Sequence, residues 1–260
     1  MSIEYTIRKF LHRVQGDPFR RLRRRRHRQE DALRVEFHTS GLRELRHSYG
    51  LFRIIGNDLP PRHDTDQTPR NLGFTLQSEG NLEHCEKRWI INRIVDPKRE
   101  QRLIDLLASR GQRYERIVFD PTEYCAIGLD YSCLPDPDYL ESNSFRRLPR
   151  EYKVRLLLAL YRLKSNYLMN VNGARNLALR MGKKDYNWVL PWDGSCFVTR
   201  NAWHDIRNDI EIRPHFRYFL VPMARAQDNA QLLRPNTHLR PSEEPQLIFR
   251  HDSTEEFDER

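Results

Sequence analysis

Over residues 51–119 the chain alternates short apolar runs with longer amphipathic ones, and nothing else in it constrains the fold as tightly. Residues 51–56 (LFRIIG) read as a strand, closed by the turn-forming Gly56-Asn57-Asp58 and Pro60-Pro61. Residues 67–78 read as a helix and residues 87–92 (KRWIIN) as a second strand. A helix over 97–110 follows, with Leu103, Ile104, Leu106 and Leu107 at its apolar positions, and then a third strand over 114–119. Strands separated by helices in this way predict an α/β domain: a mixed, mainly parallel sheet flanked by helices. Ligands of such sheets bind beyond the carboxyl ends of the strands. That places Asn57 and Asp58, after the first strand, and Asn92, Arg93 and Asp96, after the second, at the binding edge. Asp96 also precedes Pro97, the pattern of a helix N-cap with proline at the first helical position.

The stretch 120–149 is proline-rich and irregular, longer than the ~12–15 residues of a passive connection, and is expected to cover a cleft. Residues 151–164 read as one helix with leucines on nearly every turn. A helix or turn over 200–208, a strand near 216–221, the run 224–233 and a last apolar segment at 246–249 complete the pattern, before a polar, acidic tail. No internal repeat is present.

Charge divides the chain. Residues 1–50 hold 13 Lys/Arg against 6 Asp/Glu, which is most of the net charge of +9, so the basicity belongs to an N-terminal arm over residues 1–49 and the domain over 50–260 is nearly neutral. Ile7, Phe10, Leu11 and Val14 form a weak apolar stripe at helical spacing, which with the arginines of residues 20–28 suits peripheral contact with an anionic membrane. A solvated or disordered leader is the plainer reading. Aromatic residues are not interleaved with the arginines, which makes nucleic acid an unlikely partner. No apolar run approaches the ~18 residues of a membrane span, and no h-region precedes the arm, so neither a span nor a secretory signal is expected. Cys85, Cys125, Cys133 and Cys196 lack zinc-type spacing and read as reduced thiols of a cytoplasmic protein.

The densest chemistry lies between residues 166 and 199. Asn172-Gly173-Ala174-Arg175-Asn176 reads as a turn entering a helix at Leu177, with Arg175 placed against the helix dipole and therefore in want of an anionic partner, either a diphosphate or Asp193. Trp188-Val189-Leu190-Pro191-Trp192-Asp193-Gly194-Ser195 reads as an apolar strand ending in a carboxylate. A lone aspartate there suits Mg2+ or Mn2+ shared with substrate phosphates, or a plain Asp-Gly turn. Neither G-x-G-x-x-G nor G-x-x-x-x-G-K-[ST] occurs, which disfavours the usual dinucleotide fold and the P-loop.

The pairing of this Ala174-Arg175-Asn176 segment with the strand ending in Asp193 resembles the central signature of glycosyltransferases of the GT-A fold, family-2-like and divergent. The resemblance covers residues 51–251, with only the central segment specific. It implies transfer of a sugar from a nucleotide-diphosphate donor to a glycan or lipid-linked acceptor. It implies Asp193 as the metal or diphosphate carboxylate, Arg175 and Asn176 at the diphosphate, and Asn57 and Asp96 near the nucleoside. Asp228 would be the general base towards the acceptor hydroxyl, with Glu244 as the alternative, and His251 a late metal ligand or phosphate contact. The chain departs from the pattern at Ser195, where a second aspartate of an Asp-x-Asp motif is absent. Two other classes compete. One is a non-catalytic α/β module that binds nucleic acid or anionic membrane through its arm. The other is a nucleotidyltransferase, which would carry a basic glycine-rich loop where Gly56-Asn57-Asp58-Leu59 stands.

Overall fold

The computed structural model describes residues 20–42, 47–58, 63–234 and 239–259, with the side chains of residues 20–24 also left aside. The stripe of Ile7, Phe10, Leu11 and Val14 and the Pro60-Pro61 turn lie outside the described residues. Helix α1 (Arg20–Thr39) is followed by β1 (Tyr49–Ile55), α2 (Gln67–Ser78), β2 (Cys85–Asn92), α3 (Pro97–Ala108) and β3 (Arg113–Ile117). The connection beyond β3 contains α4 (Pro121–Ala126), α5 (Asn143–Arg147), α6 (Arg150–Leu160) and α7 (Arg162–Met169). The chain ends with α8 (Val171–Asp185), β4 (Trp188–Asp193), α9 (Arg200–Ile212), β5 (Tyr218–Met223) and β6 (Glu243–Arg250).

The six strands form one mixed sheet in the order β3-β2-β1-β4-β6-β5. The first four are mutually parallel, whereas β6 runs antiparallel to both β4 and β5. All seven residues of β1 are buried, as expected of a central parallel strand covered on both faces. The period of two sorts them. Phe52 and Ile54, with Ile90 and Val189, meet Ala174, Ala178 and Leu179 of α8. On the other face, Leu51 and Leu190 pack with Trp203 and Ile210 of α9, while Ile55, Trp89 and Ile91 pack with α2 and α3. Small residues along α8 let it lie close to the sheet. The edge strand β3 carries Arg113, Glu115 and Arg116, charges that blunt an exposed sheet edge.

Two expectations are corrected. The helix over 151–164 is interrupted at Tyr161, whose backbone turns to φ −88°, ψ 7°. The break is held by the Asp130 N–H, which donates to Leu160 O at 2.8 Å, and by the Arg162–Asp130 ion pair. Asn172-Gly173-Ala174-Arg175-Asn176 is not a turn: the helix already begins at Val171, behind Asn170 in the left-handed region. A Cβ on Gly173 would stand 2.2 Å from Asn170 Oδ1, so a larger residue there would push aside the side chain that Asn170 holds to Asn92. The irregular stretch 120–149 also contains more helix than its prolines suggest.

The basic helix α1 is docked along one side. Phe37 is buried, Glu36 pairs with Arg217, and the Arg250 guanidinium lies over the Phe37 ring at 5.2 Å. Arg25, Arg26 and Arg28 on the same helix are exposed.

Candidate functional site

Because β1, β2 and β4 are parallel, their carboxyl ends share one edge of the sheet, and the register sets Ile54 beside both Ile90 and Asp193. Asp193 closes β4 with its side chain 46% exposed. Its Oδ1 accepts from Arg175 Nη2 at 2.8 Å and its Oδ2 from Gln246 Nε2 at 3.2 Å, while its own N–H donates to Gln246 Oε1 at 3.3 Å. The carboxylate is therefore fixed by a cation from α8 and an amide from β6, with one side open to solvent. Arg175 is 15% exposed and its guanidinium lies 5.2 Å from the centre of the Phe257 ring.

Beyond Asp193 the chain bends back sharply. Gly194 N–H donates to Ile54 O at 2.8 Å, and a Cβ on Gly194 would stand 2.6 Å from that same oxygen. The next residues are tied down from beneath by a buried charge cluster. Arg53 Nε donates to Cys196 O at 2.9 Å, Arg53 Nη2 meets Glu79 Oε1 at 2.5 Å, and Glu79 Oε1 also accepts from Val198 N–H at 2.8 Å. Lys87 Nζ lies 2.8 Å from Glu79 Oε2. Arg53 and Glu79 are both fully buried. Burial pushes the neighbouring Cys196 thiol up to about 12, with the Asp193 charge acting in the same direction, so it stays protonated.

The β1 and β2 ends are braced in the same manner. Asn57 Nδ2 donates to Arg93 O at 2.7 Å and its Oδ1 accepts from Val95 N–H at 3.0 Å. Asn92 donates to Met169 O and accepts from Asn170 Nδ2, and Arg93 lies over the Tyr167 ring at 3.8 Å while donating to Tyr167 O. The edge is thus a rigid rim with the half-open Asp193 on it.

The predicted residues fall into three groups. Arg175 and Asp193 are brought together, and Glu244 lies two residues before Gln246 on β6, exposed near the same rim. Asn57 and Asp96 stand at the strand ends but are used locally, Asn57 as the brace above and Asp96 as the N-cap of α3, accepting from Lys98 N–H at 2.9 Å. Asp228 caps the short turn Asn229–Leu233 through Ala230 N–H at 3.0 Å. Asn176 is buried and taken up by the C-terminal tail: its amide donates to Phe257 O and Glu259, and accepts from Phe257 N–H. It positions the ring that covers Arg175 and has no free polar atom to offer a diphosphate.

His251 is displaced from the role expected of it. Since β6 is antiparallel, its last residue, Arg250, pairs with Trp188, and His251 N–H donates to Asn187 O at 2.9 Å. Asn187 precedes β4 and Asp193 ends it, a separation of about 20 Å at the rise of a strand. His251 and Asp193 cannot share a metal. Among the described residues no group of three His, Cys, Asp or Glu side chains is placed to hold one.

Gln246, Arg53 and Glu79 were not anticipated. Arg53 had a legible signal, a charge inside an otherwise apolar strand, which burial permits only with a partner. Nothing local marks Glu79 or Gln246. No protein-family model, no curated protein and no solved structure matches the chain.

Proposed function

We propose that this α/β protein is a glycosyltransferase that holds a nucleotide-diphosphate sugar at the Arg175–Asp193 edge and transfers the sugar to a hydroxyl of a glycan or lipid-linked acceptor. The observation that supports it is the position of Asp193: a half-open carboxylate at the carboxyl end of a central strand, clamped by Arg175 and Gln246. A diphosphate brings the negative charge that Arg175 can share, and each Asp193 oxygen keeps a lone pair beyond its one hydrogen bond. A single carboxylate with phosphate oxygens and water is an adequate shell for Mg2+ or Mn2+, so the residues fit a metal that arrives with the donor rather than a resident one. Such a metal would be held by Asp193 and would neutralise charge on the departing diphosphate.

In this reading the acceptor oxygen attacks the anomeric carbon, the bond from that carbon to the diphosphate oxygen breaks, and the acceptor proton passes to a carboxylate. We assign that proton to Glu244, two residues along β6 from Gln246, because Asp228 is engaged as a cap. Among the described residues no helix is long and apolar enough to cross a membrane.

Thermal denaturation with uridine, guanosine, adenosine and deoxythymidine diphosphates, with and without Mn2+, tests the proposal. One of them at ~100 times its Kd should stabilise the chain by about 2.7 kcal/mol, roughly 5–10 °C in Tm for a domain of this size. Asp193→Ala should abolish the response. If no nucleotide responds, or if Asp193→Ala responds as the wild type does, the reading is wrong.

A further inference from the structure

Helix α6 is apolar on two faces, and only one of them is covered. Leu160 is buried and Leu156 and Ala159 are half-buried, which accounts for the inner face. Val154, Leu157, Leu158 and Tyr161 follow at i, i+3, i+4 and i+7, a single helical stripe, and all point to solvent, Leu158 with 65% of its surface exposed and Leu157 with 41%. An isolated exposed leucine needs no explanation, whereas a contiguous stripe marks a contact surface.

The charges around the stripe indicate the contact. From Arg146 to Lys164 the sequence has seven Lys/Arg and one acid, Glu151. Many arginines elsewhere sit against carboxylates, as Arg88, Arg116, Arg207 and Arg250 do. Arg146, Arg147, Arg150 and Arg155 are exposed and have no carboxylate partner among the described residues. On the helical wheel Arg150 begins the apolar stripe and Arg155 flanks it, so their stems can lie along an apolar layer while the guanidinium groups stay in the polar one. An apolar stripe edged by unpaired cations is the pattern of a helix lying in the interface of a bilayer with anionic headgroups. A second copy of the chain is a poor occupant, since an isologous contact would bring the same cations together.

The topology ties the connection that carries this helix to the sheet edge of the candidate site. The connection carrying α6 leaves the carboxyl end of the parallel strand β3 and returns at the start of α8, and Asn92 and Arg93 at the end of β2 hold α7 by its Met169 and Tyr167 carbonyls. The connection therefore begins and ends on the edge that bears Asp193. We propose that α6 is an interfacial membrane-docking element that seats this edge on an anionic lipid surface, and that it, rather than the N-terminal arm, supplies the apolar part of the contact. The proposal does not depend on the chemistry assigned to Asp193.

The test is co-sedimentation of the full chain with vesicles of phosphatidylglycerol and phosphatidylcholine, against phosphatidylcholine alone. Wild type should bind the anionic vesicles, more weakly as salt rises. Arg150→Gln/Arg155→Gln should weaken binding about 30-fold, at roughly fivefold per cation near the surface. Leu157→Glu/Leu158→Glu should abolish it with Tm little changed, because both side chains already face solvent. Replacing Arg23, Arg24, Arg25 and Arg26 by glutamine should leave the Leu157/Leu158 dependence intact. A direct readout is Leu158→Trp: the native tryptophans are buried, so a blue shift on adding anionic vesicles reports this position. Failure of wild type to bind any vesicle, binding that survives Leu157→Glu/Leu158→Glu, or a wild-type dimer that these substitutions merely dissociate would each overturn the proposal.

Discussion

Replacing Glu79 by glutamine tests whether the buried charge cluster holds the candidate site in place. Glu79 and Arg53 are both fully buried, 2.5 Å apart, with Lys87 at 2.8 Å as a second cation that reaches partly to solvent. Glutamine keeps the shape and an oxygen for Val198 N–H but removes the only negative charge, leaving the Arg53 guanidinium unpaired against Trp89. Breaking a buried pair from one side costs about 3–5 kcal/mol. For a domain of this size that is roughly 6–20 °C in Tm. Urea denaturation followed by the fluorescence of the buried tryptophans measures it directly. The companion variant Arg53→Met/Glu79→Gln removes both charges, keeps an acceptor for Val198 N–H and should lose less than Glu79→Gln alone. It should not regain wild-type stability, because Cys196 O loses its partner at about 1–3 kcal/mol if it stays buried. The reasoning fails if Glu79→Gln lies within about 1 kcal/mol of wild type by this assay, or if the double variant is no better than the single one.

Gly194→Ala should destabilise by about 1–3 kcal/mol and abolish any nucleotide response, because the added methyl meets the Ile54 carbonyl and the backbone must move at Asp193; an unchanged urea midpoint would count against that tight approach. Stability should also fall as pH drops below about 6.5, the ordinary histidine value. Burial lowers the pKa of His215, with the Arg34 charge acting the same way against the opposing pull of Glu30, and burial likewise lowers that of His47, which accepts from Trp188 Nε1. With the folded pKa below the unfolded one, the unfolded chain takes up protons that the folded chain refuses, so stability is whole above the unfolded value and declines beneath it. The Tm difference between pH 7.5 and pH 5.5 should shrink in His47→Gln/His215→Gln, and an equal difference in the variant would exclude these histidines as the cause.

The candidate site shows where a linear reading stops. Arg175 and Asp193 lie 18 positions apart on consecutive elements, a helix and the strand it feeds, and their pairing was legible from one supersecondary unit. The third member, Gln246, arrives from a strand 53 positions on, and no feature of its neighbourhood distinguishes it from an ordinary strand polar residue. The same strand misdirected His251, because a chain running antiparallel delivers its last residues to the far end of the sheet. Asn176 looked equivalent to Arg175 in the sequence, but its helical phase points it at the tail.

The amino-acid sequence by itself determined the alternation of strands and helices, the central parallel strands, and a carboxylate at the end of one of them, since these follow from local periodicity and from the need to bury apolar runs. Only the tertiary structure decided what touches Asp193, which buried carboxylate balances Arg53, and that the leucines of α6 divide between the core and solvent. Those outcomes depend on strand direction, helical phase and contacts between distant segments. A helix with leucines on two faces carries no local mark of which face the rest of the chain will cover.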